Sequence, residues 1–185
     1  SVGEDVSEER VNVISAAYSL VGKVGYFWGG KSTALGEDPN WGRTFPVTTQ
    51  GSRSTGTLRA YGLDCSGFVS WAVINGYSNL AMRASIGDGT SEPWEKAKVI
   101  SEADAQPGDL IFYAKAGHVY HVVMYAGDGK TIEAANTKAG IISGTVNTEN
   151  AVWATRILED NEVVVDGGIG EVNATTDMYG TCLGN

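Results

Sequence analysis

Three residue types in this chain can perform nucleophilic chemistry together: a cysteine at a predicted helix start, a histidine in an apolar strand, and a carboxylate or amide beyond it. The chain holds two cysteines, Cys65 and Cys182, and two histidines, His118 and His121. Cys65 lies in GLDCSGFVSW, residues 62–71, where Cys65, Phe68, Val69 and Ala72 fall on one helical face. That spacing predicts a helix over 65–75 with Cys65 in its first turn and Asp64 as N-cap. A thiol attacks as the thiolate, and the positive end of a helix lowers its pKa from about 8.5. The free N–H groups of the same turn can hold the oxyanion of a tetrahedral intermediate. The plainer alternatives are a small buried residue or a Cys65–Cys182 bridge, which would leave a binding or structural module.

His121 sits in VYHVVMY, residues 119–125. Strand alternation places His121, Val123 and Tyr125 on one face and Tyr120, Val122 and Met124 on the other. A histidine in such a strand must find a polar partner, either a backbone carbonyl or Cys65. His118 follows Ala-Gly at the strand entrance and is expected to be exposed, which favours His121 as the base. A third group usually orients the imidazole, and Glu133 and Asn136 are both candidates. If Asp128 and Gly129 form a tight two-residue hairpin, His121 faces Asn136 and Glu133 lies on the opposite face. A longer turn centred on Gly127 sets Glu133 opposite His121 instead. The local sequence leaves both open.

The elements that must position these groups read as helices followed by strands. Residues 8–22 predict a helix with Val11, Ile14, Ala17, Tyr18 and Val21 on its apolar face, Ser7 as N-cap and Gly22 as stop. Residues 31–62 have no clear period and are expected to form an ordered excursion anchored by Trp41 and Phe45. Strands are predicted at 110–113, 119–126, 130–135, 140–146 and 152–158. Helices and then an antiparallel run define an α+β class. The expected layout is a tail or linker at 1–7, one domain at 8–160, and a C-terminal extension at 161–185 with no assigned element.

Composition narrows the partners. The formal net charge is −9, from 13 basic and 22 acidic side chains, which disfavours nucleic acid. No apolar run approaches the roughly 18 residues of a membrane span, and SVGEDVSEER at the start carries no signal-peptide pattern. With no C-x-x-C pair and two histidines, a structural zinc site is not expected, and thiolate chemistry assisted by a histidine needs neither a metal nor an organic cofactor.

Four blocks in order carry a resemblance: Y-x-W-G-G at 26–30, L-D-C-S-G-F-V at 63–69, Q-P-G-D-L-I-F-Y at 106–113 and H-V-V-M-Y-x-G-D-G-K-x-I-E-A at 121–134. Over roughly residues 10–158 the chain resembles the NlpC-type bacterial cell-wall peptidases of the papain-like clan. The resemblance implies a nucleophile at Cys65, a base at His121 and a third residue at Glu133, a position often held by histidine, so it favours Glu133 over Asn136. It implies a substrate of peptidoglycan stem peptides, cut between γ-D-glutamate and the diamino acid. Tyr26 and Trp28 would line the groove, and Asp64 and Ser66 would receive the free amino end of the stem's L-alanine. A secreted or wall-associated monomer, alone or as one domain of a longer multidomain protein, fits that role. One departure is that many members carry R-T-S-x-x-Q, whereas Gly89-Thr90-Ser91-Glu92-Pro93-Trp94 has no arginine in register and Arg83 is displaced.

Overall fold

The computed structural model describes residues 6–77, 98–116, 118–149 and 151–155. The expectations for 83–94, 156–185 and Cys182 lie outside these residues, as does the side chain of His118.

Helix α1 spans Glu8–Ser19, with Ser7 Oγ accepting the Arg10 N–H as N-cap. Gly22 follows in the left-handed region, at φ 73°. Its inward face differs from the expected one. Arg10, Val13, Ile14 and Ala17 are buried, while Val11 and Tyr18 are exposed. Arg10 turns inward to pair with Asp109, Nη1 to Oδ1 at 2.7 Å, and donates to Pro107 O at 3.2 Å. A buried charge of this kind needs both counter-charge and hydrogen bonds. The pair ties α1 to the Gln106–Asp109 turn.

The excursion between residues 31 and 62 is ordered around a small antiparallel hairpin, β1 (Thr44–Pro46) with β2 (Leu58–Ala60). Trp41 packs edge-on against Trp71 with centroids 5.4 Å apart, and Phe45 against Tyr61 at 5.3 Å, so both expected anchors hold it down. Helix α2 spans Cys65–Gly76 and packs on α1. A Cβ on Gly76 would lie 2.2 Å from Val13 Cγ2, so glycine is what permits this close approach.

The remaining strands are β3 (Lys98–Val99), β4 (Leu110–Lys115), β5 (His118–Gly127), β6 (Lys130–Asn136), β7 (Gly140–Thr145) and β8 (Ala151–Thr155). They form one antiparallel sheet in the order β3-β8-β4-β5-β6-β7. The short β3 was not foreseen. Helix α2 lies against β5 and β6. Val122, Met124, Ile132 and Ala134 join Phe68, Val69 and Ala72 in the main core, and Ile111, Tyr113, Val123 and Trp153 form a second cluster. The architecture is α+β, as the element order predicted. No described helix is long and apolar enough to cross a membrane.

Candidate active site

Asp64 caps α2 as expected, its Oδ1 accepting the Gly67 N–H at 2.8 Å. This fixes Cys65 in the first turn, where the helix presents unpaired N–H groups and positive potential. Cys65 is fully buried and packs with the main core. Its sulfur is engaged in a disulfide, so in this state it is not a thiol and cannot attack.

Around that helix start the chain draws together Lys31, Asp64, Ser66 and Tyr26. Lys31 Nζ donates to Asp64 Oδ1 and Oδ2 at 2.6 and 2.8 Å and to Ser66 Oγ at 2.7 Å. Ser66 Oγ also donates to Asp64 Oδ1, at 3.2 Å. Tyr26 is buried and joins Leu63 by a parallel bridge. Burial, and then the negative charge of Asp64, push its phenol well above the usual range, so it remains a neutral hydroxyl. Trp28, expected to line the groove, is 1% exposed and its Nε1 donates to Gln50 O at 2.9 Å. Packed in this way, Trp28 braces the excursion.

His121 and Glu133 meet on the sheet, Nε2 to Oε1 at 3.2 Å, with side chains 13% and 19% exposed. Glu133 Oε2 accepts from Thr131 Oγ1 at 3.3 Å. An ionised carboxylate only accepts, so a neutral imidazole facing it would place its proton on Nε2 and keep a lone pair on Nδ1. Asn136 is elsewhere employed: its Oδ1 accepts the Ala139 N–H at 2.8 Å in the β6–β7 turn.

Neither expected hairpin register is the observed one. Asp128 and Gly129 do form a tight turn, both at positive φ, with Gly127 paired to Lys130. The register then shifts between Tyr125 and Gly127, so that Met124 pairs with Ile132 and Tyr125 with Thr131. Ala126 is the extra residue of a bulge. The shift of one moves Glu133 onto the face of His121, as a diagonal neighbour within reach of long side chains.

A second irregularity lies between β4 and β5. Tyr113 pairs with His121 but Ala114 with Val119, which leaves Tyr120 as the extra residue. Tyr120 therefore departs from the expected grouping with Val122 and Met124. It and His121 both stack on Tyr113, with centroids 6.3 and 6.2 Å away. Tyr113 and Lys31 are site residues that sequence reasoning missed, and for Tyr113 the pairing of β4 with β5 is the signal that points to it. Burial is the main force raising its phenol pKa, with Glu133 and Tyr120 adding and the Asn147 N–H opposing.

Two assemblies result. Lys31, Asp64 and Ser66 converge beside Cys65, and His121 with Glu133 lies on the sheet face of Tyr113 and Val123. A cavity of about 330 Å³ between the end of α1 and the excursion is lined by none of the predicted site residues. Among the described residues, no three His, Cys, Asp or Glu side chains converge to hold a metal.

The result is an α+β domain in which a cysteine opens a buried helix set on an antiparallel sheet that carries a histidine–carboxylate pair. The chain belongs to the NlpC/P60 family, whose profile matches residues 23–162. It is 31% identical over 148 residues to the peptidoglycan endopeptidase RipB of Mycobacterium tuberculosis, covering 80% of this chain and 52% of that protein. The solved structure of that peptidoglycan hydrolase aligns with a TM-score of 0.55 at 27% identity, over 82% of this chain and 65% of the other. The fold is also that of RipD from the same organism, described as a non-catalytic NlpC/p60 domain protein adapted to peptidoglycan binding, with a TM-score of 0.56 at 22% identity over 83% of this chain and all of the other. The chain thus spans about half the length of RipB, and 17% of the Listeria grayi protein named probable endopeptidase p60.

Proposed function

We propose that this domain is a peptidoglycan endopeptidase acting outside the membrane, cleaving the bond between γ-D-glutamate and the diamino acid of stem peptides. The observation that carries the reading is the His121–Glu133 pair at 3.2 Å, on the strands against which the Cys65 helix packs. In its reduced form Cys65 gives its proton to Nδ1 of His121, and the thiolate attacks the γ-carbonyl carbon. The Cys65 N–H and a neighbouring N–H hold the oxyanion. The imidazolium, stabilised by Glu133, protonates the departing amine, leaving a thioester. Water then loses a proton to His121, attacks the thioester and releases the acid and the thiolate. The Tyr26 phenol, kept neutral by burial and Asp64, stands beside the helix start as a hydroxyl and not a phenolate.

Digestion of defined muropeptides, read by mass spectrometry, tests the bond and the mechanism together. The reduced protein should release the γ-D-glutamyl fragment, and Cys65→Ala should not while retaining its circular dichroism spectrum. Cutting at another bond would indicate an amidase or transferase on the same scaffold. A second reading, a peptidoglycan-binding module without catalysis, is favoured by one observation, the disulfide at Cys65. Thiol titration separates the two. A native protein that shows a reactive Cys65 thiol and hydrolysis only after mild reduction is an enzyme; one that binds muropeptides and stays inert after reduction is a binding module.

A further inference from the structure

The cation beside Cys65 belongs to the protein itself. Asp64 is fully buried, and the three N–H groups of the Lys31 ammonium can be met by Asp64 Oδ1, Asp64 Oδ2 and Ser66 Oγ, all within 2.8 Å. The Lys31 side chain remains 18% exposed, so this charge stands at the border between core and groove. Its backbone is held from both sides by one hydroxyl. Tyr61 Oη donates to Lys31 O at 3.0 Å and accepts the Lys31 N–H at 3.3 Å. Tyr61 is in turn packed between Phe27, at 4.8 Å, and Phe45 of the hairpin, at 5.3 Å. Gly67 leaves room for the lysine stem, since a Cβ there would lie 3.2 Å from Lys31 Cδ.

We infer that Lys31 is a specificity-determining residue, filling from within the chain the ammonium position that Asp64 and Ser66 form, so that the groove takes stem peptides whose L-alanine nitrogen is acylated. The inference rests on the endopeptidase reading and refines the role expected of Asp64 and Ser66. A substrate with a free α-amino group would bring a second positive charge to a carboxylate already paired, in a place poorly reached by water, where like charges repel strongly. An acylated alanine brings an uncharged amide and needs no counter-charge. The ordered excursion, through Tyr61, is what keeps the lysine in place.

Two probes decide the matter with reduced protein: the tripeptide L-Ala-γ-D-Glu-diamino acid, and the same peptide acetylated on its alanine nitrogen. Wild type should prefer the acetylated probe by tenfold or more in kcat/KM. Lys31→Met, which keeps the stem and removes the charge, should move that ratio at least tenfold towards the free amine. A wild-type preference for the free amine would overturn the inference, as would a Lys31→Met ratio within twofold of wild type. The wild-type ratio stands by itself if the variant fails to fold. If wild type cuts neither probe, the endopeptidase reading fails and not this one. The affinities of the two probes, measured by calorimetry, must then show the same preference for the acetylated peptide, and equal or reversed affinities would overturn it.

Discussion

Replacing Glu133 by Gln separates the charge of the third residue from its shape. Glu133 Oε1 accepts from His121 Nε2 at 3.2 Å, and Oε2 accepts from Thr131 at 3.3 Å. A glutamine can keep its carbonyl oxygen towards the imidazole and turn its amide towards the Thr131 hydroxyl, which can accept as well as donate. Ring orientation and tautomer are therefore preserved, and what is lost is the negative charge that stabilises the imidazolium. A hydrogen bond to a charged group contributes about 1.5–3 kcal/mol and a neutral one about 0.5–1.5. The difference, about 1–2 kcal/mol, corresponds to a fall of roughly 5–30-fold in rate. Partial exposure of both side chains places the expectation at the lower end. Glu133→Ala removes the orienting group as well and should cost on the order of 100-fold or more. The assay is steady-state cleavage of a muropeptide by reduced protein, with thermal unfolding as a control on the fold. Glu133→Gln indistinguishable from wild type, or Asn136→Ala more damaging than Glu133→Ala, would refute the reasoning.

Other consequences concern the scaffold. Arg10→Met strands the Asp109 carboxylate in the core, and removing one member of a buried pair costs about 3–5 kcal/mol; urea denaturation should show it, with partial recovery in the Arg10→Met, Asp109→Leu double variant. Gly67→Ala would set a Cβ 2.2 Å from Gly30 O, so backbone must shift, and chemical denaturation should reveal a loss of about 1–3 kcal/mol. Tyr26 has its phenol pKa raised by burial and Asp64. Above pH 10 the unfolded chain loses this proton while the folded one keeps it, so stability present below pH 10 declines as pH rises further. Tyr26→Phe should flatten that alkaline decline in a pH series of unfolding midpoints.

What the sequence made legible were features set by local chemistry. The Asp64 cap, the helix from Cys65, the order of β4 to β8 and the Asp128-Gly129 turn each depend on a few adjacent residues. The inward face of α1 did not, because Arg10 is buried by an ion pair with Asp109, 99 positions away. The hairpin of β1 and β2 escaped notice since strands of three residues show too little alternation to register a period. Lys31, in a stretch rich in Gly, Ser and Thr, gave no sign of its contact with Asp64. The bulges at Tyr120 and Ala126 were equally silent, because an extra residue in one strand leaves the alternation on either side intact.

The bulge at Ala126 also makes the pairing of His121 with Glu133 a matter of parity. The two side chains share a face because the strand holds one residue more than a regular ladder would. Drawing Ala126 into the ladder opposite Thr131 would leave the turn and the count of strands intact, yet slip every pair beyond it by one and send the carboxylate through to the other side of the sheet, whereas deleting Ala126 would keep Tyr125 opposite Thr131 and the two side chains together. A single codon lost or gained between His121 and Tyr125 would likewise part the two side chains while the turn and the strand order stayed as they are.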